Sequence, residues 1–242
     1  MTQSDAAAEL VSFPAASIAV VFGSTGGIGA ALVQALRASN RFSQVLGFSR
    51  STAPAIDLLS EATLEAAVNL AAAQGEIRLV IDATGFLHDE TQGPEKSLRQ
   101  IDAAKMARAF ALNATGPALI MKHTLPLLPR TGKAVFATLS ARVGSIGDNQ
   151  LGGWYAYRAS KAALNQLVRT AAVELARRAP QAFCVALHPG TVTTLLSAPF
   201  VAARLELHSP AHAARNLLDV IDELPAGASG GFFDWRGEPV PW

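Results

Sequence analysis

A chain of 242 residues, half of them hydrophobic and 16% charged, has material for one large α/β domain or two small ones. A formal net charge of +1, with no basic cluster, gives no reason to expect a nucleic-acid partner. The single cysteine, Cys184, excludes an intrachain disulfide and a cysteine-rich metal site, and its apolar setting between Ala182 and Leu187 reads as a buried thiol.

From Met1 to about Ala16 the chain reads as a weakly specified extension, and Asp5 and Glu9 without a basic stretch do not make a signal peptide. Gly, Ser and charged residues interrupt every apolar run before it reaches membrane-spanning length, so a cytoplasmic protein with no membrane partner is expected. Ser17 to Phe22 is short, apolar and β-branched, the pattern of a strand buried on both faces. It runs into Gly23, Ser24, Thr25, Gly26, Gly27, Ile28 and Gly29, after which Ile28, Leu32, Ala35 and Leu36 fall on one face of a helix. A strand, a glycine-rich turn and a helix N-terminus present free backbone N–H groups to a phosphate. In that arrangement Gly23 permits the tight turn, Gly27 lets backbone approach a pyrophosphate, and Gly29 lets helix and strand pack closely. The glycine order, Gly-x-x-x-Gly-x-Gly, departs from the usual dinucleotide order, and a tight connection with no ligand is its other reading.

Gln44 to Phe48 is the second strand and ends in Ser49, Arg50 and Ser51. The carboxylate that holds the adenosine 2′-hydroxyl in NAD-specific sites is missing there, while Arg50 offers a guanidinium able to fork onto a 2′-phosphate. NADP(H) is therefore expected in preference to NAD(H). After Asp57 and Leu58, the stretch from Glu61 to Ala73 carries Leu64, Ala67, Val68 and Ala71 in helical register. Arg78 to Asp82 is another buried strand, leading into Ala83, Thr84 and Gly85. Lys105 to about Leu128 reads as helical through Met106, Phe110, Asn113, Ile120 and Leu127, with Pro117 and Pro126 as interruptions. Lys133 to Leu139 is a strand ending at Ser140, and a loop rich in Gly, Asp and Asn follows from Ala141 to Gly153.

That loop delivers the chain to a helix that begins near Tyr157, with Leu164, Leu167, Val168, Ala171 and Leu175 as its buried stripe. Tyr157 and Lys161 are four residues apart and share a face. A phenol titrates near 10, and a neighbouring ammonium favours the phenolate, so the pair suits proton transfer. Tyr155 has only Ala159 at that spacing. Such pairs also occur on solvated helix surfaces, so the assignment needs the rest of the chain. The helix stops before Pro180, and Ala182 to Leu187 is the next strand, followed by His188, Pro189, Gly190 and Thr191. Leu195 to Leu224 is expected to be helical in two pieces split near Pro210, and Gly231 to Asp234 is the last strand. Strands and helices alternate throughout, which predicts an α/β fold with a single Rossmann-type domain over 17–242. Its doubly wound parallel β-sheet carries helices on both faces. Ligands in such sheets sit beyond the carboxyl ends of the strands, where the glycine loop, Arg50, Gly85, Ser140 and Pro189 all fall.

Over nearly its whole length the chain resembles the short-chain dehydrogenase/reductase family, through Gly23, Gly27 and Gly29, Asp57 with Leu58, Asn113, Ser140, Tyr157 with Lys161, and Pro189 to Thr193. Ser140 to Asn149, Gly152 to Lys161, and Asp234 to Trp242 are similar to its C-factor and sniffer-like carbonyl reductase branch. The resemblance implies hydride transfer between NADP(H) and a carbonyl or alcohol. Tyr157 is then the proton donor, Lys161 lowers its pKa and holds the nicotinamide ribose, and Ser140 stabilises the oxyanion. Asn113 would support a relay water. Gly23, Ser24, Thr25, Gly27, Ile28, Gly29, Arg50, Asp57, Leu58, Ala83, Thr84, Gly85, Pro189, Gly190, Val192 and Thr193 would hold the cofactor with Tyr157 and Lys161. It also implies a homodimer or homotetramer through helix pairing, which the Ala- and Leu-rich Tyr157 helix is able to form.

Two features depart from the family pattern. Asp82, Ala83, Thr84 and Gly85 stand where Asn-Asn-Ala-Gly is usual, read here as divergence in a structural element. Ser140 lies four residues before Gly144, where the family serine lies three before, a position held here by Ala141. Ser145 is therefore kept as an alternative to Ser140.

No Gly-x-Ser-x-Gly elbow makes Ser140 a hydrolase nucleophile, and Gly132-Lys133 lacks a P-loop. His208 and His212, with Pro210 between them, read as a solvated helix start, and no metal is expected. Trp154, Phe200, Leu195 and Leu196 fit an apolar substrate pocket, the core or an interface equally. A nucleotide-binding signalling or scaffold protein with little turnover stays open on the serine register. Dehydratase or epimerase chemistry lacks an identifiable further acid–base group.

Overall fold

A computed structural model describes residues 8–90, 93–197, 199 and 207–242. The chain runs β1 (Ile18–Phe22), α1 (Gly27–Ala38), β2 (Gln44–Phe48), α2 (Glu61–Ala72), β3 (Ile77–Asp82), α3 (Ala103–Phe110), α4 (Gly116–Thr124) and β4 (Ala134–Leu139). It continues through α5 (Tyr155–Arg178), β5 (Ala182–His188), β6 (Thr191–Val192), β7 (Leu207–His208), α6 (Pro210–Glu223) and β8 (Phe232–Asp234). Among the described residues the main sheet has six strands in the order β2-β1-β3-β4-β5-β8, all parallel.

The period of two along each strand builds two cores. Ile18, Val20, Phe22, Val80, Phe136 and Cys184 face α2, α4 and α5, while Ala19, Val21, Leu79, Ile81, Val135, Val185 and Leu187 face α1 and α6. Strands covered on both faces need continuous apolar runs, which is what the sequence supplies. Cys184 is buried, and burial pushes its thiol up to about 12, so it packs as a small apolar group.

The chain leaves β1 for β2 on one side and returns to β3 on the other, which opens a crevice at the carboxyl ends of β1 and β3. On α5, Leu164, Val168, Ala172 and Leu175 form the buried stripe that fixes the helix on the sheet. Emptying one such position, Leu164→Ala, is expected to cost about 2–5 kcal/mol.

Three local features differ from the sequence expectation. The long helical stretch is divided: a π-helical turn, Ala111–Thr115, joins α3 to α4, Pro117 opens α4, and Pro126 sits in a short 3₁₀ turn. Each proline stands where the helical pattern changes, as a residue with no N–H to continue the ladder favours. Residues 194–197 form a bend and turn instead of a helix, with Ser197 Oγ donating to Val192 O and Thr194 O. Residues 8–16 are also more specified than expected. Leu10 and Phe13 are buried against α1 and α6, Lys133 Nζ lies 5.3 Å from the Phe13 ring centre, and Arg41 Nε donates to Phe13 O at 2.6 Å. Burying Phe13 contributes about 1.5–3 kcal/mol. Isolated apolar residues without periodicity carry no local signal of such packing.

Candidate active site

The turn after β1 is built by exclusion of side chains. Gly23 has φ +77°, and a Cβ there would stand 2.8 Å from Ala83 O. A Cβ on Gly29 would stand 2.1 Å from Gly23 O, and one on Gly27 would stand 2.8 Å from Thr194 Cγ2. The loop therefore lies against the end of β3 on one side and the segment after β6 on the other. Helix α1 starts at Gly27 with no side-chain cap and no acidic residue in its first turn. Its leading N–H groups and the positive end of its dipole are open to an anion, and this glycine-lined cradle fits a dinucleotide pyrophosphate.

Ser24 packs under Gly47, Thr25 is exposed with Oγ1 3.5 Å from Ser51 Oγ, and Ile28 joins the α1 core. Arg50 is exposed at the end of β2. Asp57 spends its carboxylate on the N–H of Leu59 (2.9 Å), and Leu58 packs under Gly116, so both shape the start of α2 and the core. Gly190 has φ +78° and leaves no room for a Cβ beside His208 and Trp235, Val192 is buried in β6, and Thr193 N donates to His208 O. Pro189 leads from β5 into that turn.

Tyr157 and Lys161 stand on one face of α5. Lys161 is 3% exposed, its Nζ donates to Leu139 O at 2.7 Å, and the same nitrogen lies 6.0 Å from the Tyr157 ring centre. It also lies 3.8 Å from where a Cβ on Gly85 would be, so the lysine joins β4, the turn after β3 and α5. Burial lowers the Lys161 ammonium to about 8, opposed by the Asp82 charge. Burial pushes the Tyr157 phenol up to about 12. Desolvation is what raises the phenol, and the ammonium beside it is bound to a carbonyl instead of the hydroxyl.

Ser140 follows β4 and is 4% exposed, and its Oγ donates to Asn165 Oδ1 at 2.6 Å. Ser145 is 1% exposed and its Oγ accepts the N–H of Asp148. Asn113, on the π-helical turn, is fully buried; its Oδ1 accepts Phe86 N–H at 2.7 Å, and its Nδ2 donates to Phe86 O and Ser160 Oγ. It braces the turn after β3 against α5, one residue from Lys161.

Glu95 and Asn165 escaped sequence reasoning, and Asp82 is read there only as divergence in a structural element. Glu95, 5% exposed, accepts Trp154 N–H on its backbone oxygen and Ala156 N–H on Oε2 at 3.2 Å. It caps α5 from a distant loop because the residue at the cap, Trp154, has a left-handed backbone (φ 53°) and no capping side chain. The Trp154 ring in turn meets Tyr157 edge-on at 6.1 Å. Asn165 lies one turn beyond Lys161, and that spacing was the available signal. Asp82 is fully buried and accepts from Thr84 N–H, Thr84 Oγ1 and Thr138 Oγ1.

His208 and His212 stack at 5.0 Å beside Trp235, and the described residues hold no group of three metal-ligating side chains. Leu195 and Leu196 are exposed, and Phe200 lies outside the described residues. Among the described residues no helix is long and apolar enough to cross a membrane.

Comparison with known proteins agrees with the fold. A family model described as enoyl-(acyl carrier protein) reductase matches residues 15–220. The C-signal protein of Myxococcus xanthus is 42% identical over 147 residues, 60% of this chain and 84% of that one. The NADPH-bound carbonyl reductase from chicken fatty liver superposes with a TM-score of 0.82 at 24% identity, covering 99% of this chain and all of that one. The carbonyl reductase Sniffer of D. melanogaster gives 0.79 at 23% identity, over 94% of this chain and all of that one. The chain belongs to the short-chain dehydrogenase/reductase family of oxidoreductases.

Proposed function

We propose that this oxidoreductase transfers a hydride between NADP(H) and a carbonyl or alcohol, with Tyr157 as the proton-transfer group. The observation that carries the reading is the position of Tyr157 and Lys161 on one face of α5, beside Gly85 and the glycine cradle. A bound nicotinamide supplies the hydride. Tyr157, held protonated by burial, donates its proton to the carbonyl oxygen, because an alkoxide is far more basic than a phenolate. Lys161 offers its ammonium as the nearby positive charge and as the donor to the cofactor ribose, exchanging its bond to Leu139 O. Ser140 stabilises the developing oxyanion once its hydroxyl turns from Asn165, and Ser145 is the alternative. Asn113 Oδ1 keeps one lone pair for a relay water.

NADP(H) is preferred because Arg50 is exposed at the end of β2 and is flanked in sequence by Ser49 and Ser51 instead of a carboxylate, and an NADPH-bound carbonyl reductase shares the fold. The segments flanking the crevice expose Leu151 and Leu195 (91% and 94%), which suits small or hydrophobic carbonyls. Helix pairing into a homodimer or homotetramer has a surface in the groove of about 580 Å³ between α4 and α5, lined by Met121, Leu125 and Leu167. NADPH consumption against a panel of aldehydes and ketones tests the reading; tight binding with no turnover on any of them contradicts it.

A second reading is a nucleotide-binding signalling protein with little turnover. Its support is the 42% identity to C-signal together with a Ser140 hydroxyl engaged by Asn165.

A further inference from the structure

We propose that Asp82 is a positioning residue of this site: a buried carboxylate whose charge keeps Lys161 in its ammonium form. The inference rests on the reading of Lys161 as the cationic partner of Tyr157. Asp82 ends β3 and is 0% exposed. In register it faces Thr138 of β4, and the next residue of β4, Leu139, holds Lys161 Nζ through its carbonyl. The two buried groups thus stand at the ends of adjacent strands, each within reach of the other's charge and each hydrogen-bonded to other partners.

The hydrogen bonds around Asp82 fit an ionised group. Oδ1 accepts Thr84 N–H at 3.0 Å and Thr84 Oγ1–H at 2.6 Å, and Oδ2 accepts Thr138 Oγ1–H at 2.7 Å. Three donors converge on a group that is acceptor-only when charged. Burial is the largest influence and leaves Asp82 above the usual carboxylate range, against the smaller downward pull of these donors and, least of all, of Lys161. For Lys161 the balance is reversed: burial lowers it, and Asp82 is the charge that raises it. The groups facing Lys161 are Asp82 from β3, Gly85 from the turn after it, the neutral Tyr157 phenol from α5, the Leu139 carbonyl from β4, and Gly144 from the loop. No other charge among them supports the ammonium. An amide at position 82 would keep acceptors for Thr84 but remove that support. In this chain the acid that stands where the family pattern has asparagine therefore does more than brace β3 against β4.

The test reads Lys161 directly by NMR in protein carrying ¹³C,¹⁵N-lysine, its side-chain signals assigned by their loss in Lys161→Met. Wild type is expected to titrate near pH 8, and Asp82→Asn at about one pH unit lower, since an opposite charge nearby is worth one to three units. The alkaline limb of the turnover-against-pH profile should move with it. Thr138→Val, which removes a brace but not the charge, should lower Tm with a smaller movement of the Lys161 midpoint. An unchanged midpoint in folded Asp82→Asn overturns the proposal and leaves Asp82 as a sheet brace. If that variant does not fold, the wild-type Asp82 carboxyl carbon decides: an ionised signal at pH 7 supports the pair, and a protonated one overturns it. A shifted midpoint in a protein that turns over no carbonyl would sink the reaction and spare the Asp82–Lys161 coupling.

Discussion

The Ser140 hydroxyl donates to the Asn165 amide oxygen at 2.6 Å, and both side chains are buried between β4 and α5, with Asn165 Nδ2 unpaired. The serine placed by sequence nearest the reaction is thus also a clip between strand and helix. Ser140→Ala should lose about 1–3 kcal/mol of stability, because it leaves the Asn165 amide without its partner. Its turnover should fall less than that of Tyr157→Phe. Denaturant unfolding alongside kcat measures both, and a variant of unchanged stability would contradict the clip.

Glu95 holds the start of α5 by accepting Ala156 N–H. Glu95→Ala should cost about 0.5–2 kcal/mol, the range for loss of a cap, and loosen the Trp154–Tyr157 contact. Because a displacement of about 1 Å can cost on the order of 100-fold in rate, kcat should fall more than the affinity for NADPH. Equal losses in both would place Glu95 in folding alone.

His188 ends β5 with a buried, unpaired Nδ1, and burial lowers its imidazole to about 4. The unfolded chain, titrating near 6.5, binds the proton more readily between those values. This contribution is complete above about pH 6.5 and is lost as pH falls towards 4. Thermal melts of His188→Gln should show a flatter acid limb than wild type; parallel limbs would remove His188 as the cause.

Arg50 is tested by calorimetric titration with NADP(H) and NAD(H). Arg50→Ala should lose the preference for the phosphorylated cofactor and keep its NAD(H) affinity, since only a 2′-phosphate engages the guanidinium. Equal wild-type affinity for both would reject the assignment.

What could be read from the sequence was what local spacing encodes. Gly23, Gly27 and Gly29 announced a turn in which a Cβ would collide with backbone or side chain, and the four-residue interval from Tyr157 to Lys161 announced a shared helix face. The continuous apolar runs from Ile18 and Ala134 announced a doubly covered sheet. Features set by long-range packing stayed hidden. Glu95 reaches α5 across 61 residues, and the direction of the Tyr157 shift depends on how much water the folded chain removes. Phe13 entered the core from a stretch with no periodicity. Asn165 lay on the Tyr157–Lys161 stripe and was within reach, but its bond to Ser140 needed the β4–α5 contact to be seen.

The central claim is that the Tyr157 phenol delivers the proton. The most direct measurement is kcat for NADPH-dependent carbonyl reduction in wild type and Tyr157→Phe, with NADPH affinity measured on both. A fall of roughly 10²–10⁴-fold in kcat at unchanged affinity is predicted, the range for loss of a general acid. Equal turnover in the two proteins, or binding without turnover in wild type, would contradict it.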